Sequence, residues 1–436
     1  MLPVAEAEWG PPAISVAPTF DAIAGAVRQL MAQRDRPQVF VPGVTRIPLN
    51  VPTYGADEVV EALDSLCSTY VTMGKKVKRF EEMWADYVGV KYAVMVNSGS
   101  SANLLALSAL IAAGKLSPGD EIITPALTWA TTVFPIAQVG CVPVLVDVDP
   151  ITYNIDPEAV IEAITPNTRT IMPVHLLGNP CAMNRLGFIA ASQGLSIIED
   201  ACEAHGAEYQ GHKVCSFGDI ATFSFFFSHH ISTIEGGMVV TNDPDLAQKV
   251  RSMRAFGWVR DLPDPESIAD QYPAIDPRFL FIHPGYNMRP TEIQGAFGMH
   301  QLPRLEGYIA IRRENMAYWN KEFAQYQSWI TLPSEAPNTR HVSFAYPITV
   351  KEGAPFAAKE LSHFLESRGV ETRPIESGNM ALQPAMKYIP YRIADPLTNA
   401  QYIHESAFFW GNHHGISTVE REAIVRYVRE FMGGQR

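Results

Sequence analysis

The 436-residue sequence is poor in cysteine, in net positive charge and in long apolar runs. Its five cysteines (Cys67, Cys141, Cys181, Cys202 and Cys215) are scattered, with no C-x-x-C spacing. That excludes a disulfide framework or a zinc ribbon and suits a reducing cytoplasm. Basic residues number 34 against 46 acidic ones, for a formal net charge of −12. A general nucleic-acid binder needs a basic face, so that class is set aside. A phosphorylated small ligand stays open, because backbone N–H groups can hold phosphate without a basic patch. No apolar run reaches transmembrane length, and no basic region followed by an apolar stretch opens the chain. The expectation is a cytoplasmic protein with no membrane contact. No internal repeat or low-complexity segment is evident.

What is there reads as globular, with 47% hydrophobic and 18% charged residues and enough length for two or more domains. Residues 1–46 form an N-terminal extension with several prolines and a helical pattern around 20–33. Helical spacing follows at 55–66 and 77–87. A strand at 92–96 then runs into Asn97-Ser98-Gly99-Ser100-Ser101-Ala102-Asn103 and a helix at 104–113. Strand, small polar turn, helix is the arrangement that aims a helix N-terminus at an anion. The alternation continues with strands at 121–125, 142–146, 168–174 and 195–200, and helices at 131–139 and 184–193. It implies an α/β fold with a mainly parallel sheet flanked by helices. A further apolar, β-prone run at 220–227 ends in Ser228, His229 and His230. Ligands of such sheets bind at the carboxyl ends of the strands. Residues 98–103, Trp129, Asp200 and His229 therefore meet at one rim. A long helical pattern from Thr291 is interrupted by Pro303, which should kink or break it. The expected domains are 47–305, large, and 306–436, a smaller C-terminal α/β domain.

Each rim element has a bland reading: a capped turn, a strand-end cap, a core tryptophan, two surface imidazoles. Together, a phosphate cradle, an aromatic plane, a buried carboxylate and a base describe a pyridoxal phosphate site. The lysine that normally anchors that cofactor is missing.

The chain resembles the sugar-nucleotide aminotransferase family, of aspartate-aminotransferase (PLP fold type I) architecture, over about residues 48–430. Ser98-Gly99-Ser100-Ser101-Ala102 matches its S-G-T/S-x-A, and Glu199-Asp200 its strand-end E-D. Ser224-Phe225-Phe226-Phe227-Ser228-His229, followed by Gly236-Gly237, matches S-F-x-x-x-K with its glycine pair. Gly285-Tyr286-Asn287-Met288-Arg289 matches G-x-N-x-R. Counting back from the glycines puts His229 at the lysine position. The resemblance implies that Gly99, Ser100, Ser101 and Ser224 hold the cofactor phosphate, that Trp129 stacks on the ring and that Asp200 pairs with its nitrogen. It places Glu203 on the ring-hydroxyl side. It also sends Asn287 to the phosphate of a neighbouring subunit, so the expected assembly is a homodimer with shared sites.

Two branches of the family carry histidine for lysine, and both are 3-dehydratases of 4-keto-6-deoxy sugar nucleotides. One holds an iron–sulfur cluster on cysteines after the histidine. This chain has none beyond Cys215, so no such cluster is expected, nor any metal. The chain is more similar to the other branch, through Ser228 to Gly237, residues 254–263, residues 284–292 and the R-P-I-x-x-G-N of residues 373–379. What this implies is a carbon–oxygen lyase using pyridoxal or pyridoxamine 5′-phosphate, in deoxysugar and lipopolysaccharide O-antigen biosynthesis. Its substrate would be GDP-4-keto-6-deoxy-D-mannose, its amino donor L-glutamate and its catalytic residue His229. Two other readings stay open: a sugar aminotransferase that tolerates histidine, and a non-catalytic cofactor-binding relative.

Overall fold

The computed structural model describes residues 17–34 and 39–435. Most of the proline-bearing start of the N-terminal extension, and residues 35–38, lie outside the described residues. The helix expected within the extension is α1 (Ala17–Arg34), which packs on α2 (Ala56–Cys67). Next comes α3 (Lys75–Val88), which buries Val77, Phe80, Trp84 and Val88 along one stripe. It stops at Gly89, whose φ of 82° is the left-handed conformation that ends helices.

The strands expected from the sequence then appear in order. They are β1 (Tyr92–Val96), β2 (Glu121–Pro125), β3 (Val142–Val146), β4 (Thr168–Ile171) and β5 (Ser196–Asp200). Helices α4 (Gly99–Ala112), α5 (Ala130–Gln138), α6 (Pro157–Ala163) and α7 (Met183–Gln193) are interleaved with them. After a hairpin of β6 (Glu208–Tyr209) and β7 (His212–Lys213) come β8 (Ile220–Ser224) and β9 (Gly237–Thr241). The eight-stranded sheet has the order β1-β9-β8-β5-β4-β2-β3-β14, where β14 is Arg392–Ile393. Five of its seven pairings are parallel. The two antiparallel ones flank β9. No helix crosses over between β8 and β9, so the chain can only turn back. The β-prone run at 220–227 keeps its ladder only to Ser224, and the run at 168–174 only to Ile171.

Helices α8 (Pro244–Arg254) and α9 (Pro265–Ala269) precede α10 (Glu292–Gln301). The latter ends in a 3-10 turn containing Pro303 before α11 (Leu305–Phe323). The proline break is therefore present, because a ring without an N–H cannot continue the helix ladder. A four-stranded antiparallel sheet follows, in the order β10 (Ile330–Thr331), β12 (Ala345–Val350), β15 (Ala407–Gly411), β13 (Thr372–Pro374). Strand β11 (Thr339–Arg340) instead joins β6. Helices α12 (Ala358–Ser367), α13 (Thr398–Ser406) and α14 (Thr418–Gly433) complete the chain. Trp319, Phe323, Tyr346 and Trp410 fill the core of this part.

The two sheets are laced together. Strand β14 reaches back to pair with β3, and Arg392 makes a two-pronged ion pair with Glu121 at 2.8 and 2.9 Å. From the other side, Ile47 bridges Val370, and the Pro48 carbonyl faces His413 Nε2 at 3.0 Å. Among the described residues no helix is long and apolar enough to cross a membrane.

Candidate active site

The turn after β1 is built as an anion seat. Ser98 caps α4, its Oγ accepting from the Ser101 N–H at 3.1 Å. The Gly99 and Ser100 N–H groups precede the first intrahelical bond and have no acceptor among the described residues. They remain available to an oxyanion, with the helix dipole behind them. Gly99 is required by contact: a Cβ there would lie 2.5 Å from Ser224 Cβ and 2.9 Å from Ser224 Oγ. Gly237 is pressed from the other side, its virtual Cβ 2.2 Å from the Ser98 carbonyl oxygen. The turn is thereby clamped onto the ends of β8 and β9, beside the Ser224 hydroxyl. That oxygen accepts from Phe226 N at 3.3 Å and keeps its own hydrogen to donate.

Asp200 ends β5 and is 4% exposed. Its Oδ2 accepts from Asn103 Nδ2 and Thr132 Oγ1, both at 2.9 Å, and its Oδ1 from Cys202 N at 3.1 Å. The Thr222 hydroxyl donates to Asn103 Oδ1 at 2.6 Å, which turns the amide so that its NH₂ faces the carboxylate. A buried carboxylate so held is fixed in place, with room for one further donor. The adjacent Glu199 does different work. It accepts from Cys215, Phe217 and Gly218 N–H groups at 2.7 to 2.9 Å and closes the turn leading into β8.

Trp129 is the extended N-cap residue of α5, one turn before Thr132, and is 54% exposed. Glu203 accepts from Leu177 N at 2.7 Å, and its carboxyl meets that of Glu376. Burial, then the Glu376 charge, raises Glu203 well above the usual carboxylate range, and burial raises Glu376 as well. Of the two, Glu203 is the one that its neighbour's charge pushes toward the neutral form. Asn287 is exposed, and its Oδ1 accepts from Arg289 Nε at 3.1 Å.

The two imidazoles diverge. The loop after β8 is tied by the Thr233 N–H to the Phe225 carbonyl at 2.9 Å. His230 is fully buried, its Nε2 3.2 Å from the Val342 carbonyl oxygen. His229 is partly buried beside the rings of Phe344 (5.6 Å between centroids) and His205 (5.7 Å). Its Nδ1 is shut off without a partner. Burial, then the nearby Arg312 charge, pushes its pKa down to about 3. It is a neutral imidazole at physiological pH, able to accept a proton.

Sequence reasoning missed Thr132, His205, Arg312, Phe344 and Glu376, and it placed Asn103 at the rim without its role beside Asp200. Asn103 carried a signal, because it stands one helical turn after Gly99 and so faces the same side. Thr132 stands in the same relation to Trp129. Arg312, Phe344 and Glu376 come from segments far along the chain from the rim turns, and nothing local marks them.

An anion seat, a braced carboxylate, an aromatic at the mouth and a proton acceptor fit vitamin B6 phosphate. Together with the fold they define a fold type I pyridoxal phosphate enzyme. The chain belongs to the DegT/DnrJ/EryC1/StrS aminotransferase family, whose model matches residues 52–429. It is 40% identical to a GDP-4-keto-6-deoxy-D-mannose 3-dehydratase of Yersinia pseudotuberculosis, over 84% of this chain and 94% of that one. It is 35% identical to a dTDP-4-dehydro-2,6-dideoxy-D-glucose 3-dehydratase of Saccharopolyspora spinosa, over 94% and 92% of the two chains. Among solved structures it is similar to GDP-4-keto-6-deoxymannose-3-dehydratase with a trapped PLP–glutamate geminal diamine. The TM-score is 0.82 at 36% identity, covering 87% of this chain and 99% of that one.

Proposed function

We propose that the protein is a 3-dehydratase of a 4-keto-6-deoxy sugar nucleotide, a lyase that uses pyridoxamine phosphate and is recharged by L-glutamate. GDP-4-keto-6-deoxy-D-mannose is the substrate, by similarity to the Yersinia enzyme, and a 4-keto-3,6-dideoxy sugar for lipopolysaccharide the product. The observation that carries this reading is His229 at the lysine position of an otherwise complete site. An imidazole has no primary amine, so the cofactor is held by non-covalent contacts alone.

When bound, the cofactor supplies an amine for the C4 ketone and a ring that accepts electrons. The Gly99 and Ser100 N–H groups, Ser101 and the Ser224 hydroxyl would hold its phosphate. Asp200, braced by Asn103 and Thr132, would hold its ring nitrogen, with Trp129 over the ring face and Glu203 toward the ring hydroxyl. His229 starts neutral and takes a proton. The imidazolium so formed is the acid that returns it to the hydroxyl leaving C3. Glu203, pushed toward its neutral form beside Glu376, keeps the far wall from repelling Asp200 with two full negative charges.

The assembly we propose is a homodimer in the cytoplasm, where free thiols persist, with the exposed Asn287 completing the partner's phosphate site. Pairing an Asn287→Ala subunit with a His229→Ala subunit should then restore about one working site per hybrid, and full activity in a clean monomer would rule the shared site out. For the reaction itself, the protein is incubated with glutamate and a 4-keto sugar nucleotide, in GDP-, CDP- and dTDP-linked forms. Ammonia release with loss of the C3 hydroxyl is expected, and fastest with the GDP form. An amine retained at C4 would make the protein an aminotransferase, and no turnover a binding relative.

A further inference from the structure

Arg312, on α11, is 2% exposed and carries a charge that nothing close by answers. Its Nη1 donates to the Phe344 carbonyl at 2.7 Å and to the Asn412 carbonyl. Its Nε is buried with no partner, and no carboxylate lies within ion-pair distance of it among the described residues. Burying a cation without a counter-ion is costly, and such a charge penalises any second cation placed near it. The groups nearest to it electrostatically are imidazoles: His205, His229, His230, His413 and His414.

The contact is mechanical as well. The Phe344 ring packs against both His229 and His230, at 5.6 and 5.8 Å between centroids. The Arg312 guanidinium pins the backbone that carries this ring. Asn412 locks the same knot, donating to the Arg312 carbonyl at 2.9 Å and to Ser343 Oγ at 2.8 Å.

We propose that Arg312 is a positioning residue for the acid–base work of His229. It anchors the Phe344 wall on which the imidazole packs, and its unanswered charge keeps the resting imidazole neutral and makes its protonated form a stronger acid, quick to give the proton up. The link to dehydration rests on the function proposed above; the geometry and the test do not. The titratable or charged groups facing His229 are His205 from the turn after β5, its neighbour His230, and Arg312 from α11. The loop before β12 and residue 226 face it with the uncharged rings of Phe344 and Phe226. Arg312 is thus the only permanent cation of the set.

The test is a titration of the full-length protein, labelled at histidine Cε1 and followed by NMR, with His229→Asn to assign the signal. In the parent the His229 signal should stay unprotonated from pH 8 to about 5.5, a full unit below the ordinary imidazole value. Arg312→Met should raise its midpoint by about one unit or more, a tenfold gain in proton affinity. Arg312→Lys keeps the charge and should leave the midpoint low. Asn412→Asp places a carboxylate beside an intact arginine and should raise it. A parent midpoint above 6 overturns the inference, as does a folded Arg312→Met whose His229 signal has not moved. Should Arg312→Met not fold, an unmoved midpoint in Asn412→Asp overturns it equally. None of these measurements uses the sugar substrate. A protein that titrates as expected but releases no ammonia would therefore count against the dehydratase reading alone.

Discussion

Gly99→Ala is the sharpest probe of the phosphate seat. The new Cβ would stand 2.5 Å from Ser224 Cβ and 3.2 Å from Ser224 Cα. Carbon atoms pack at about 3.5–4.0 Å, so the gap must open by about 1 Å. Strand β8 cannot yield, being paired to β5 on one side and β9 on the other. The start of α4 has to lift instead, and its Gly99 and Ser100 N–H groups move away from the Ser224 hydroxyl. Overpacking of this kind costs about 1–3 kcal/mol of stability. Losing one or two charge-assisted hydrogen bonds to phosphate costs about 1.5–3 kcal/mol of binding, or roughly 10- to 100-fold in affinity. The assay is equilibrium titration of the cofactor against indole fluorescence, possible because no covalent link is expected, alongside thermal unfolding. Gly187→Ala serves as the comparison, since a Cβ there meets open space within α7. It should leave affinity unchanged and add up to about 1 kcal/mol of stability. A Gly99→Ala protein that binds cofactor as tightly as the parent would refute the anion-seat argument.

His229→Lys should become fixable to the cofactor by borohydride, while ammonia release falls by about two to four orders of magnitude. His230→Ala should keep most of its activity but melt earlier, having lost a buried ring and its contact with the Val342 carbonyl; a dead His230 variant beside a nearly normal His229 variant would reverse the assignment. Stability should also fall as the medium is acidified below about pH 6.5. Burial holds His341 at about 4 and His413 at about 3 in the folded chain, the Arg312 charge adding to the latter. The unfolded chain then binds protons that the folded one refuses, at about 2 kcal/mol per ring by pH 5. Urea midpoints that coincide at pH 7 and pH 5 would contradict this.

The rim was legible wherever the chain alternates short apolar strands with small polar turns. Residues 98–103 and Asp200 belong to such turns, so their place followed from the fold class alone. The family resemblance, counted back from the glycine pair, put His229 rather than His230 at the lysine position, and β9 does begin at Gly237. What escaped has physical causes. Two-residue strands such as Arg392–Ile393 carry no periodicity. The antiparallel setting of β9 depends on a missing crossover helix, which an apolar run does not announce. Arg312 looks like any charged residue of an amphipathic helix. Only the packing of α11 against the loop at 341–344 and the turn at 412–414 makes it a buried cation. Glu376 likewise meets Glu203 through folding alone.

Strand β14 has a consequence for how the protein fares outside its native state. Without it, β3 would be the terminal strand of the large sheet, with the sequence Val-Pro-Val-Leu-Val open along one edge. A row of unpaired N–H and C=O groups on so apolar a strand is a template for another chain. Pairing of Arg392 and Ile393 with Val144 and Leu145, fastened by the Arg392–Glu121 ion pair, closes that template with residues made late in synthesis. A nascent or proteolysed chain ending before residue 392 would carry a finished sheet with a sticky margin. Its fate would be self-association through β3 rather than simple loss of activity, and a charge at Val144 would suppress it.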